Sequence, residues 1–224
     1  MFIHFHPFKP FLKRETRRII VGTLPPPRFC TKEYKEKDVL FCYGSKDGLL
    51  WQILDKIYKL NLIYDNSKIA IEQRKEFLIK EKLGICDIVD SCKRAKIDAS
   101  DIGMEEVVLR DILKYLRDYP NINTIIFTGG YCKNSPEYFL RKVLKEKNIK
   151  FEIVDDNIPK VHKFEYDNRI FKTISLTSPS NAANRSIGAN PYYKKQKQIN
   201  INYTTFDFRL EQYEKVFKFK ELMN

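Results

Sequence analysis

Three loop sequences carry residue types that could do chemistry: GTLPPPRF at Gly22–Phe29, TGGYCKNSP at Thr128–Pro136 and TSPSNAANR at Thr177–Arg185. Each follows an apolar, β-branched run, so each is expected to leave the carboxyl end of a buried strand. In a parallel sheet such ends share one edge, and the loops leaving it can surround a single crevice. Proline stiffens these loops, small residues let backbone approach a ligand, and Arg185 adds a cation. Pro, Gly and Ser also simply mark turns, and that plainer reading stays open.

A fourth segment, LFCYGSKDGLLW at Leu40–Trp51, enters an apolar helix near Gly48, whose amino terminus would offer oriented backbone N–H groups. Asp47 is placed to cap that helix. The segment GICDIVDSCKR, Gly84–Arg94, carries Asp87, Asp90 and Ser91 in what reads as a short strand or irregular stretch running into a polar loop. His4 and His6 alternate on an extended chain and could ligate a metal, but no third ligand is near and no metal is expected. Five cysteines, odd in number and without a C-x-x-C, read as reduced, buried thiols.

Positioning falls to strands expected at Arg18–Gly22, Asn123–Thr128, Phe151–Val154 and Phe171–Leu176. Helices are expected at Leu49–Leu60, Ile71–Leu83 (ended by Gly84), Met104–Tyr119 (stopped by Pro120), Ser135–Lys147 and Thr205–Lys220. Ser135 and Pro136 are a capping serine and a first-turn proline. Strands alternating with helices predict an α/β fold, three layers α/β/α around a mainly parallel sheet. The length of 224 residues suits one domain, with 1–14 as a surface arm and 190–224 as a C-terminal extension bearing a helix. No internal repeat is present.

The formal net charge of +12 favours a polyanionic partner such as nucleic acid, although lysine-rich composition alone would also produce it. Lys13, Arg14, Arg17 and Arg18 form a basic cluster before the first strand, and Tyr192, Tyr193, Lys194, Lys195 and Lys197 interleave aromatics with cations. No run approaches the roughly 20 apolar residues of a membrane span. The amino terminus lacks the features of a signal peptide, so a cytoplasmic monomer without membrane association is expected.

Taken in order, GTLPPP, CYGSKDGLLWQIL, GICDIVDSCKR and SLTSPSNAANR resemble the uracil-DNA glycosylase superfamily, with the mismatch-specific uracil and hypoxanthine-DNA glycosylase branches nearest. The resemblance spans roughly Ile19 to Arg185. It implies an enzyme that flips a damaged base out of DNA and hydrolyses its N-glycosidic bond without metal or organic cofactor. Residue by residue, Gly22, Thr23, Leu24 and Pro25 match the first motif, whose backbone lines the base pocket. Tyr43 matches the aromatic that stacks on the base, and Trp51 the helix tryptophan, for which a core role is expected. Asp87 and Ser91 fall where relatives read the base edge. Ser178, Pro179 and Ser180 match the second-motif loop, with Asn181, Asn184 and Arg185 beside it as DNA contacts, and Gly129 and Gly130 would let backbone approach DNA.

The sequence departs from the family at three places. Thr23 and Leu24 stand where many relatives carry Asp or Asn, Gly48 stands where the hypoxanthine branch has its working Asn, and Ser178 replaces a frequent histidine. Asp47, next to Gly48, is then the carboxylate expected to position water. The expected substrate is double- or single-stranded DNA bearing uracil or hypoxanthine. The alternatives are a catalytically silent relative that binds DNA or another nucleic acid, and an enzyme acting on a small nucleoside or nucleotide.

Overall fold

The computed structural model describes residues 1–218. In chain order its strands are β1 (Phe2–Phe5), β2 (Arg18–Gly22), β3 (Leu83–Asp87), β4 (Val89–Arg94), β5 (Glu105–Leu109), β6 (Thr124–Phe127), β7 (Glu152–Asp155), β8 (Lys160–Tyr166) and β9 (Arg169–Ser175). The helices are α1 (Arg28–Thr31), α2 (Leu50–Tyr58), α3 (Lys68–Lys80), α4 (Ile112–Asp118), α5 (Pro136–Glu146), α6 (Asn184–Ala189), α7 (Pro191–Ile199) and α8 (Thr205–Phe217). The expected end of the last helix at Lys220 lies outside the described residues.

Six strands form the central sheet in the order β3-β2-β6-β9-β8-β7. The pairs β2–β3, β2–β6 and β6–β9 are parallel, and β9–β8 and β8–β7 antiparallel. Alternation along the parallel strands sends side chains to two faces. Ile20, Ile85, Ile126 and Ile174 pack with Trp51, Leu54, Leu78 and Tyr213 of α2, α3 and α8 on one side. Ile19, Val21, Cys86, Ile125 and Phe127 pack with Leu113, Leu116, Phe139 and Leu140 of α4 and α5 on the other. The fold is thus the expected three-layer α/β/α arrangement. Two apolar faces explain why β2 and β6 read as continuous hydrophobic runs, each buried along its whole length.

Several boundaries differ from expectation. Gly84 does not stop a helix; it lies inside β3, where a Cβ would come 2.4 Å from Leu12. Residues 84–94 contribute two strands, and the second, β4, forms a separate antiparallel sheet with order β1-β4-β5. The amino-terminal arm is therefore strand as well as connection: Phe2–Phe5 pairs with Ser91–Arg94. The expected helix Met104–Tyr119 is strand β5 followed by the shorter α4, which Asp111 caps by accepting from the Lys114 N–H. Ser135 and Pro136 start α5 as expected. Asp47 does not cap α2; Leu49 occupies the N-cap position, without a side-chain cap bond. Among the described residues no helix is long and apolar enough to cross a membrane.

Candidate functional site

The carboxyl ends of β2, β3 and β6 meet at Gly22. In the parallel register Gly22 lies opposite Asp87, and Thr128 follows β6 immediately. The Gly22 N–H donates to Asp87 Oδ1 at 3.1 Å. His6 Nε2 reaches Asp87 Oδ2 at 2.7 Å, while its Nδ1 accepts from the Phe8 N–H at 3.1 Å. The second bond places the ring proton on Nε2, so the imidazole donates to Asp87 and both carboxylate oxygens are acceptors.

Tyr43 closes this corner. Its hydroxyl lies 2.8 Å from Thr128 Oγ1, which in turn donates to the Val21 carbonyl at 3.4 Å. A Cβ added to Gly22 would stand 2.0 Å from the Tyr43 hydroxyl, 2.8 Å from Asp87 Oδ1 and 2.9 Å from Thr128 Oγ1. The three side chains thus converge over one Cα, and only glycine fits beneath them. Tyr43 itself has φ 58°, a left-handed backbone that costs a bulky residue roughly 1–3 kcal/mol and persists where surroundings over-determine it. Burial, and then the negative charge of Asp87, push the Tyr43 hydroxyl well above the usual phenol range, so it stays neutral.

The loop after β9 is held from both sides. The Leu49 N–H donates to the Pro179 carbonyl at 2.9 Å, and Gly48 bridges Ser180. From behind, the fully buried Arg209 of α8 donates through Nε to Ser178 O at 2.8 Å, and through Nη2 to Ser180 O at 2.7 Å and Asn184 Oδ1 at 2.9 Å. Gln212 accepts from the Thr177 N–H at 2.6 Å, and the Tyr213 hydroxyl donates to Thr177 O at 2.9 Å. The carbonyls of Thr177, Ser178, Pro179 and Ser180 are therefore engaged, and Ser180, Asn181 and Arg185 of the loop are exposed.

Asp47 sits at the rim in an ion-paired cluster. Its Oδ2 lies 3.2 Å from Arg28 Nη2 and 3.1 Å from Lys35 Nζ, and its side chain is 49% exposed. Arg28 is anchored by the buried Asp38 through bonds of 2.7 and 2.8 Å. Burial raises the Asp38 pKa, but Arg28 and the N–H groups of Lys46 and Lys35 outweigh it and hold the carboxyl at about 2.

Other expected residues are scattered more widely. The Thr23 hydroxyl donates to Asp101 Oδ1 at 2.8 Å, and burial raises that carboxyl to about 6. Leu24 packs on the α4–α5 face and Pro25 is buried. Ser91 lies on β4, between Phe5 and Val108 in the small sheet. Gly130 is exposed and a Cβ there would meet nothing within 4 Å, whereas Gly129 is buried against Pro136. Trp51 is core, its indole N–H donating to Cys42 O at 2.8 Å.

The aromatic–basic patch at Tyr192–Lys197 forms α7, with Tyr193 against Tyr203 and Phe208, while Tyr192 is half exposed with its hydroxyl on Glu211. Arg18 leaves the basic cluster, buried and donating to the Val216 carbonyl. Of the thiols, Cys132 is exposed and Cys30 half-buried, against the expectation that all five are buried. Among the described residues no three His, Cys, Asp or Glu side chains gather to hold a metal.

Sequence reasoning missed His6, Thr128 and Arg209. His6 and Arg209 find their partners 81 and about 30 residues away, which no local pattern records. Thr128, directly after an apolar strand and before two glycines, carried a usable signal.

No family model matches the chain. A hypoxanthine DNA glycosylase of Methanosarcina barkeri (strain Fusaro / DSM 804) is 28% identical over 131 residues, covering 58% of this chain and 73% of that protein. A solution NMR structure from Methanosarcina acetivorans, provisionally described as a uracil DNA glycosylase, superposes with a TM-score of 0.53 at 17% identity. It covers 94% of this chain and 99% of the other, a likeness of fold alone.

Proposed function

We propose that this chain, whose fold is uracil-DNA glycosylase-like and whose sequence is similar to that superfamily, is a DNA glycosylase that extrudes a deaminated base and hydrolyses its N-glycosidic bond. The observation that carries the reading is the convergence of Tyr43, Asp87 and Thr128 over the bare Cα of Gly22. Bond cleavage leaves negative charge on the departing base and positive charge on the sugar, so the site needs fixed polar groups rather than a strong nucleophile. In our reading the Gly22–Pro25 backbone lines the base pocket, the Tyr43 ring stacks on the base, and Asp87 meets its polar edge. Ser91, beyond Asp87 on the same run of chain, would assist at that edge.

Asp47, at the junction of the Tyr43 segment with the Ser178–Ser180 loop, would accept a proton from the water that attacks the sugar. Ser178, Pro179, Ser180, Asn181, Asn184 and Arg185 would form the DNA grip, rigid because Arg209 holds it, with Gly129 and Gly130 giving backbone access on the other side. No metal or cofactor enters this scheme, and a monomer suffices for it.

Alkali-revealed strand cleavage on single- and double-stranded oligonucleotides carrying uracil, hypoxanthine or xanthine tests the reading. Cleavage at one lesion and not at undamaged bases is the expected result. Asp47→Ala should abolish cleavage while leaving DNA affinity within about twofold; full cleavage by a folded variant would remove Asp47 from the chemistry. Salt-sensitive DNA binding with no cleavage of any lesion would instead favour a silent, DNA-binding relative.

A further inference from the structure

We infer that the amino-terminal arm is a working part of the base pocket: His6 holds Asp87 as an acceptor-only carboxylate, so that the site reads a ring N–H on the extruded base. The inference rests on the proposal that a flipped base enters the Gly22 corner. His6 follows β1 directly and is buried, its side chain wholly shielded and that of Asp87 only 5% exposed. The arm is fixed there by strand pairing with β4 and by the bond from His6 N–H to the Asp90 carbonyl at 2.8 Å. The Phe8 N–H on Nδ1 fixes the tautomer, and Nε2–H points to Asp87 Oδ2.

A carboxylate offers about four acceptor sites and no donor. Here one is used by Gly22 N–H on Oδ1 and one by His6 on Oδ2, and the Tyr43 hydroxyl also approaches the carboxylate, which still leaves acceptor capacity over. The chemistry of deamination matches such a group. Adenine presents a bare acceptor at ring N1 and cytosine one at ring N3; hypoxanthine and uracil carry a proton at those atoms. A buried acceptor facing adenine or cytosine meets a lone pair and is left unpaired, which is costly, whereas the deaminated base satisfies it. An amide at position 87 would put its NH2 in place of one oxygen, against the Gly22 or His6 donor, and present a donor as well as an acceptor to the base. His6 touches no substrate in this scheme; it is a positioning residue, and its loss would free Asp87 to rotate.

The test uses the full chain in single-turnover excision from oligonucleotides carrying hypoxanthine or unsubstituted purine, which has the bare ring N1, with fluorescence anisotropy of the same oligonucleotides in parallel. The wild type should favour hypoxanthine by at least tenfold. Asp87→Asn should bring the preference to about threefold or less, because the amide can donate as well as accept. His6→Ala should lower excision by about 10–100-fold, as loss of a ligand-orienting partner does, and erode the preference, whereas His6→Gln, which keeps a donor to Asp87, should restore most of both.

An unchanged hypoxanthine preference in Asp87→Asn, or in a folded His6→Ala, overturns the inference. If the wild type excises nothing, the glycosylase reading fails by itself. The anisotropy preference then decides this one: tighter binding of hypoxanthine DNA that Asp87→Asn abolishes supports it, and equal binding of both oligonucleotides overturns it.

Discussion

Two carboxylates at the same sheet edge have opposite surroundings. Asp87 is nearly sealed from solvent, with a backbone N–H on one oxygen and an imidazole N–H on the other. Asp47 is half exposed and held only by Arg28 and Lys35. Solvent screens the second set and not the first, so the protein depends on Asp87 for its shape and on Asp47 for very little of it. A carboxylate that the fold does not need is free to serve a reaction; one that it does need can serve by staying still.

The contrast breaks most severely at Asp87. Asp87→Ala leaves the Gly22 and His6 donors buried and unpaired, and should lower the unfolding free energy by about 3 kcal/mol or more, measured by urea denaturation. Gly22→Ala attacks the same corner from beneath. Its methyl would have to displace the Tyr43 hydroxyl, at an expected cost of about 1–3 kcal/mol and with loss of any excision.

Asp101 sharpens the comparison as an intermediate case, half-buried and bonded to the Thr23 hydroxyl. Its carboxyl is raised to about 6 in the folded chain, against about 4 when unfolded, so the folded state binds more protons between those values. Its contribution to stability is therefore full below about pH 4 and lost as pH rises to about 6; Asp101→Asn should flatten that decline in a series of melts. The smallest effect is expected at Asp47, where Asp47→Ala should change stability by no more than about 0.5 kcal/mol.

Much of this architecture was legible. The buried runs of β2 and β6, the Ser135–Pro136 start of α5 and the stripe of α2 all follow from periodicity and capping. Failures came where two periods share residues: Glu105–Leu109 continues an apolar pattern into Ile112 and Leu113 that reads as helix, yet Val107 and Val108 are β-branched and belong to a strand. Strand β8 carries only a broken alternation along Lys160–Tyr166, with Val161 and His162 buried side by side.

In the site, glycine and proline announced the loops, but Asp47 and Asp87 look alike in a sequence. What separates them is His6, 81 residues from its partner. Arg209 was equally silent, because an arginine in a helix reads as solvated until the carbonyls that surround it are known.

The clamp formed by Arg209 has a bearing on biosynthesis. The loop it holds, Ser178–Asn184, leaves the ribosome before α8 does, with Gly48 and Leu49 in reach to support it but not yet Arg209. A nascent chain can pair β2, β3, β6 and β9 yet leave that loop unclamped, so the loop takes its final shape only once α8 has been made.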